Sequence, residues 1–463
     1  MESRFEAESP VLSTQKIFRN KIDALARRSP AQLAMLVFAG IITIITILLL
    51  LPISHSGPGG ADFHTALFTA TSAVSVTGLT IVDTASYWTP FGKVILAIGM
   101  QIGGLGVMTL ASLLGLAVSR HIGLTQKFLV ANETQSRLGE LSGLLRAVLI
   151  TSLTVEALLW GSFLGFFIDD QHSLFEALSH SLFLSISTFN NGGFVIAQSG
   201  FTHLVGSWSF GILIMLGTTI GAIGFPVILN LARARTNIRK WALHTKLTLS
   251  TFFGLLFLST LLIALLEWQN TKTLGSLSPG NSFLAALFHA TTSRSSGIAT
   301  IDISQMNEST WFVLDILMFI GGGSAGTGGG IKVTTFAILL LAIISEARGD
   351  RDTEVFGKRI PYPVLRLAIA VTFLGAVIVG TATLIIMQIT HLPLSQVLFE
   401  VISAFATCGL STGITANLDP ASQLILVLLM YLGRVGTMTF AAALALRTRR
   451  RVIRLPEDQP IIG

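Results

Sequence analysis

The chain has 463 residues, of which 12% are charged and 51% hydrophobic, with a mean hydropathy of +0.73. A soluble surface needs about 25% charged residues, so these values exclude a string of soluble domains, and the same apolar content excludes a disordered chain. The single cysteine, Cys408, excludes an internal disulfide framework or a cysteine metal cluster; what remains is an integral membrane protein.

Charge position organises the chain. Of 30 Lys and Arg residues, 25 fall in segments 1–30, 119–146, 231–246, 346–366 and 447–463. Short basic segments stay on the cytoplasmic side, so successive segments are joined by an even number of crossings and both termini are predicted to be cytoplasmic. Basic runs also suit nucleic acid, but their recurrence between apolar stretches fits topology, and no nucleic-acid partner is expected. The first apolar run begins near Leu33 and has spanning length, about 20 residues, so it reads as a membrane helix rather than a cleaved signal.

In chain order, long apolar runs lie near 33–51 and 91–118, 144–168 and 207–231, 245–268 and 311–345, and 364–390 and 422–446. They predict an all-α integral membrane fold: eight transmembrane helices in four tandem helix–pore loop–helix repeats around a pseudo-fourfold central pore. The corresponding boundaries are a cytoplasmic segment 1–30, repeats at 31–120, 121–232, 233–346 and 347–447, and a cytoplasmic tail 448–463. Membrane lipid is the surrounding medium.

Between the members of each pair lies a shorter, mixed segment. The four align as FTATSAVSVTGLT (Phe68–Thr80), FLSISTFNNGGFV (Phe183–Val195), FHATTSRSSGIAT (Phe288–Thr300) and FEVISAFATCGLS (Phe399–Ser411). Each opens on Phe, runs as a helix-compatible stretch and ends at Gly78, Gly193, Gly297 or Gly409. A hydroxyl precedes each glycine by six positions, at Ser72, Ser187, Thr291 and Ser403, and the third copy is one residue shorter between Phe and Gly. The pattern reads as a half-helix that stops partway through the bilayer and returns as extended chain. Non-helical backbone at that depth must be enclosed by protein or line a water-filled path. Glycine can turn carbonyls inward, and rings of carbonyls can replace the water shell of an ion. The alternative is an ordinary extracellular loop with a glycine turn.

The units SVTGLT, NNGGF, SRSSGI and ATCGLSTG resemble the four pore loops of the Trk/Ktr/HKT superfamily of potassium transporters, over nearly the whole chain. With eight spans and a short N-terminal segment, the chain is most similar to the Ktr membrane subunit. The resemblance implies filter positions at Val76, Thr77 and Gly78, at Asn191, Gly192 and Gly193, at Ser295, Ser296 and Gly297, and at Thr407, Cys408 and Gly409. There backbone carbonyls would coordinate potassium, and Cys408 would serve in packing. Glycine in all four positions resembles potassium-selective members. The resemblance further implies a homodimer on a cytosolic RCK-type ring of nucleotide-binding regulatory subunits. No cofactor is expected in this chain, nucleotide would be bound by the partner only, and sodium stimulation is an implied property.

The run 311–345 is interrupted by Gly321, Gly322, Gly323, Ser324, Ala325, Gly326, Thr327, Gly328, Gly329 and Gly330. Seven of these ten are glycine, each costing about 1 kcal/mol relative to alanine in a helix, so the helix is expected to break. The stretch resembles the Ktr intramembrane loop that acts as a gate below the filter. Lys332 and Arg434 are the basic residues expected at depth, where charge needs a cavity or a partner. Arg434 matches the family's arginine below the filter, where it would set the barrier to an exiting cation; the alternative is an ion pair with Glu156 or Glu400. For Lys332 a structural pair and a gating role are both open.

Asp62, Asp83, Asp169, Asp170, Glu176, Asp302, Glu308 and Asp419 lie on segments read as outward, against Lys93, Lys272 and Arg294. An acidic vestibule would concentrate cations; a solvated rim is the alternative, and Arg294 reads as a brace for the third loop. The nine histidines show no ligand spacing, so potassium at the filter is the only metal expected. Gly322–Gly326 also fits G-x-S-x-G, the nucleophile elbow of hydrolases, but His and Asp partners are not identifiable. No P-loop is expected, because Gly330-Ile331-Lys332-Val333 departs from that motif. The reading is therefore a non-enzymatic potassium uptake protein of the cell membrane, driven by the membrane potential at about 2.3 kcal/mol per charge per 100 mV. The alternatives are a sodium-permeable or non-selective cation channel on the same scaffold and, more remotely, an intramembrane hydrolase using Ser324.

Overall fold

The computed structural model describes residues 30–106, 141–169, 173–197, 200–235 and 237–436. The N-terminal segment, most of 119–146, Asp170, the later parts of the runs 91–118 and 422–446, and the tail lie outside the described residues.

Apolar runs become helices because in lipid a helix satisfies every backbone N–H and C=O within its own segment. The described chain runs α1 (Pro30–Leu50), α2 (Phe63–Val74), α3 (Pro90–Gly104), α4 (Leu141–Asp169) and α5 (Leu174–Asn190). It continues as α6 (Trp208–Ile223), α7 (Phe225–Ala234), α8 (Leu243–Glu267), α9 (Pro279–Thr292) and α10 (Glu308–Ile320). The last helices are α11 (Val333–Arg348), α12 (Tyr362–Thr390), α13 (Leu394–Phe405) and α14 (Pro420–Tyr431). Within the described residues of α4, α8 and α12 lie stretches long and apolar enough to cross a membrane unaided: Arg146–Ile168, Leu243–Glu267 and Tyr362–Thr390. The expectation of pure helix needs one small correction. The basic segment 346–366 carries a two-residue antiparallel ladder, Glu354–Val355 against Lys358–Arg359, tied by an Arg359–Asp352 ion pair at 2.8 Å.

Local chemistry starts the helices where expected. Ser173 and Glu176 form a capping box for α5, Thr89 caps α3 ahead of Pro90, and Asp419 caps α14 ahead of Pro420. Asp83 and Asp302 cap short turns in the same way. Much of the acidic character assigned to a vestibule thus satisfies backbone N–H groups at helix starts.

The run 207–231 departs from expectation. It is not one helix but α6 and α7, bent by 96° at Gly224. Gly224 has φ +100, and Pro226 follows at the start of α7. A side chain at Gly224 would collide with the Ser324 carbonyl of the glycine-rich stretch. The bend therefore makes room for that stretch.

Neighbour relations are cyclic. The short helices α2, α5, α9 and α13 pack on α1, α4, α8 and α12 respectively. Three of them also meet a helix from the preceding part of the chain, α3 on α5, α6 on α9 and α10 on α13, and α14 returns to close on α2. The core follows this cycle. Phe68, Phe183, Phe288 and Phe399, all buried, open their segments against it.

Candidate functional site

The C-terminal ends of α2, α5, α9 and α13 each lead into a glycine with positive φ: Gly78 (+90), Gly193 (+71), Gly297 (+64) and Gly409 (+94). Two positions earlier, Val76 (φ 57), Asn191 (φ 60) and Thr407 (φ 48) are also left-handed. That conformation is a steric outlier for a β-branched residue and costs about 1–3 kcal/mol. Such strain persists only where surrounding contacts fix it, and here they do. Ser295, the corresponding residue of the third segment, is not in this region. The missing residue in that copy removes one of its two reversals.

The hydroxyl pattern also resolves. Ser72 Oγ accepts from the Gly78 N–H, and Ser403 Oγ from the Gly409 N–H, both at 3.1 Å. Ser187 instead donates to the Phe194 carbonyl at 2.8 Å. The carbonyls of Ser72, Ser187 and Ser403 accept from the N–H groups of Thr77, Gly192 and Cys408. In the third segment that acceptor is the Thr292 carbonyl, reached by the Ser296 N–H at 2.9 Å, and the Thr291 hydroxyl merely returns to Leu287. Register thus runs from the Phe end, so Thr292 rather than Thr291 is the equivalent residue.

The four glycines lie edge to edge. A Cβ added to Gly78 would sit 2.8 Å from the Gly192 carbonyl oxygen, and one on Gly193 would sit 2.7 Å from that of Ser296. A Cβ on Gly297 would overlap the Cys408 carbonyl, and one on Gly409 the Thr77 carbonyl. The contacts therefore run 78 to 193, 193 to 297, 297 to 409 and 409 back to 78. At each step the carbonyl before one glycine occupies space that only glycine leaves open on the next. Cys408 is fully buried and donates its thiol to the Ser293 carbonyl at 2.9 Å. Arg294 is buried too, with its guanidinium 3.6 Å over the Phe252 ring and donating to the Phe252 carbonyl at 2.9 Å. It braces the third segment against α8.

Residues 321–332 form the expected break, between α10 and α11. The Gly323 N–H donates to the Ala222 carbonyl at 2.8 Å and the Thr327 N–H to that of Gly221 at 3.0 Å, so the loop is hung from the end of α6. It lies directly against the glycine turns. Asn191 Nδ2 donates to Thr327 Oγ1 at 2.5 Å. A Cβ on Gly328 would strike Ser295 Oγ, and one on Gly329 would strike Thr407 Oγ1. Lys332 Nζ donates to the carbonyls of Gly328 at 2.6 Å and Gly329 at 3.3 Å, curling the loop back on its own exit.

Arg434 sits on a π-helical turn, Leu432–Gly436, rather than on regular helix. Its guanidinium is buried and donates to the carbonyls of Thr327 in the loop and Gly103 in α3. The alternative ion pairs are not formed. Glu156 accepts from Ser152 and Asn190, each at 3.0 Å, while Glu400 binds groups near the fourth glycine. The sequence singles out Thr327 only within the glycine-rich run and Glu400 only as a candidate ion-pair partner for Arg434, and it leaves Gly224 unremarked. Each matters through contacts distant in the chain, and only the glycine–proline spacing Gly224–Pro226 offered a local signal. Ser324, the candidate nucleophile, pairs its hydroxyl with Thr334 at 2.8 Å rather than with a base.

Apolar helices that enclose strained, glycine-rich backbone are the architecture of a membrane transport protein. Residues 13–450 match the family model described as TrkH: Cation transport protein, and the chain belongs to that family. It is 36% identical over 448 residues to the Ktr system potassium uptake protein B of Bacillus subtilis, covering 96% of this chain and 99% of that protein. It is 38% identical over 440 residues to the Ktr system potassium uptake protein D of the same organism, covering 94% and 97%. In fold it is similar to the crystal structure of the potassium transporter TrkH from Vibrio parahaemolyticus, with a TM-score of 0.72 at 18% identity over 90% of this chain and 84% of that one.

Proposed function

We propose that the chain takes up potassium through a selectivity filter formed by the four glycine turns, one pore per chain, with the membrane potential as driving force. The observation that carries this reading is the closed cycle of contacts from Gly78 through Gly193, Gly297 and Gly409. It supports a ring of carbonyls from Val76–Gly78, Asn191–Gly193, Ser295–Gly297 and Thr407–Gly409, in four repeats with eight spans at the boundaries 31–120, 121–232, 233–346 and 347–447. The names of the two Bacillus relatives favour potassium as cargo and a second subunit of a Ktr system.

Gly321–Gly330, seated against Asn191, Ser295 and Thr407, is then the gate. Lys332 shapes it, and Arg434 latches it to α3 while placing a positive charge on the exit path. The basic segments put both termini on the cytoplasmic side of the cell membrane, where 231–246, 346–366 and the tail would dock a nucleotide-binding RCK-type ring beneath a homodimer. Sodium enters this reading as a regulator.

The test is flux into vesicles containing the purified chain, with rubidium and sodium measured in parallel. Selective rubidium uptake that follows an imposed potential is the expected result. Equal sodium and potassium permeability would replace this reading with a non-selective cation channel.

A further inference from the structure

The position just after the opening Phe is buried in all four segments, yet it differs in chemistry: Thr69, Leu184, His289 and Glu400. Thr69 Oγ1 and both His289 ring nitrogens have no hydrogen-bond partner among the described residues, and Leu184 can have none. Glu400 is the exception. Its Oε1 accepts from Ser411 Oγ at 2.7 Å, the Thr412 N–H at 2.8 Å and Thr412 Oγ1 at 3.0 Å. Its Oε2 accepts from Thr415 Oγ1 at 2.6 Å. Three hydroxyls and one backbone N–H thus tie both oxygens of this carboxyl to a single short stretch of chain.

All of these donors belong to the chain that leaves the fourth glycine turn. Ser411 and Thr412 follow Gly409 by two and three positions, and the reversal at Gly413 has φ +92. The clamp extends further. Gln423 on α14 donates to the Thr415 carbonyl at 3.0 Å, and its Oε1 meets the ring of His64 on α2. One chain of polar contacts thus joins Glu400, the exit of the fourth turn and the helix that carries the first. This is the corner of the cycle where Gly409 abuts the Thr77 carbonyl.

We propose that Glu400 is a positioning residue for ion selection. Its carboxyl holds the Ser411–Thr415 stretch so that the fourth turn keeps its register against the first. The proposal rests on the filter reading given above. Glu400 acts through that stretch of chain, so the readout that separates it from a merely structural residue is which ion passes.

The experiment compares Glu400→Ala, Glu400→Gln, Gly409→Ser and Glu267→Gln in vesicles, each scored for rubidium against sodium flux and for thermal unfolding. Glu267 is the control: it is equally buried and likewise accepts several bonds, from Asn307 N–H, Thr310, Thr273 and Asn270, but at the far end of α8. Glu400→Ala is expected to lower selectivity about tenfold, equivalent to about 1.4 kcal/mol. Glu400→Gln, which keeps one acceptor oxygen, is expected to show a smaller loss, and Glu267→Gln to lower unfolding temperature with selectivity unchanged. If Glu400→Ala fails to insert, Glu400→Gln alone decides. Unchanged selectivity in the Glu400 variants beside a loosened Gly409→Ser would overturn the proposal and leave the filter reading standing. Unchanged selectivity in Gly409→Ser as well would remove the filter reading itself.

Discussion

Replacing Gly78 with serine tests the ring most directly. Ordinary contact begins near 3.4 Å, and the new Cβ would stand 2.8 Å from the Gly192 carbonyl oxygen and 2.7 Å from the Gly193 Cα. The first and second turns must therefore part by about 0.7 Å, and backbone rather than a flexible side chain has to yield. Holding a residue with a Cβ at φ +90 adds about 1–3 kcal/mol of strain. If about 1.4 kcal/mol of this is expressed as a difference between ions, selectivity falls about tenfold. The assay is paired rubidium and sodium flux in vesicles at a fixed potential. Gly59→Ser is the matched control, because Gly59 has φ +101 but nothing within 4 Å of its Cβ position. It carries the backbone strain without the collision, and selectivity should be unaltered. A Gly78→Ser protein that still discriminates between the two ions as the parent does would refute the argument that these turns define the ion path.

The loop beneath the turns makes further demands. Arg434→Ala removes both its carbonyl contacts and the buried charge, so transport is expected to become several-fold faster, read as initial rubidium uptake; an unaltered rate would leave Arg434 a structural role. Shortening 321–330 by two or three residues should raise flux and make it independent of the cytosolic partner, measured as uptake in transport-deficient cells with and without that partner. Regulated transport that survives the deletion would remove the gate assignment. Gly224→Ala forces a Cβ onto the Ser324 carbonyl at φ +100 and should lower stability by about 1–3 kcal/mol, seen as a reduced unfolding temperature; no change would show that the 96° bend does not depend on that contact.

The legible parts of this molecule are those written in short spans of chain. Seven glycines in ten residues break a helix whatever surrounds them, and the break appears at 321–332 as composition requires. Helix caps at Ser173 and Thr89 rest on equally local chemistry, a side-chain oxygen accepting from a backbone N–H three positions on. The third copy shows the limit of alignment. Counting back from Gly297 reached Thr291, whereas the hydrogen-bonded register starts at Phe288 and selects Thr292. A deletion can be detected in sequence, but which side absorbs it depends on packing.

Sequence by itself determined that the chain belongs in a membrane, where its basic segments fall, which four glycines recur in register and which apolar run breaks. Low charge density and clustered glycine are local properties, and bilayer physics leaves few ways to satisfy them. Only the tertiary structure decided how those pieces meet. Arg434 bonds to carbonyls 107 and 331 positions away, Gly78 abuts Gly193, and the turn at Gly224 exists to admit Ser324. Likewise Glu400, which in sequence was a candidate partner for Arg434, clamps the fourth turn instead. Such contacts are set by steric fit and donor–acceptor pairing between distant segments, and neither is encoded in the spacing of residues along the chain.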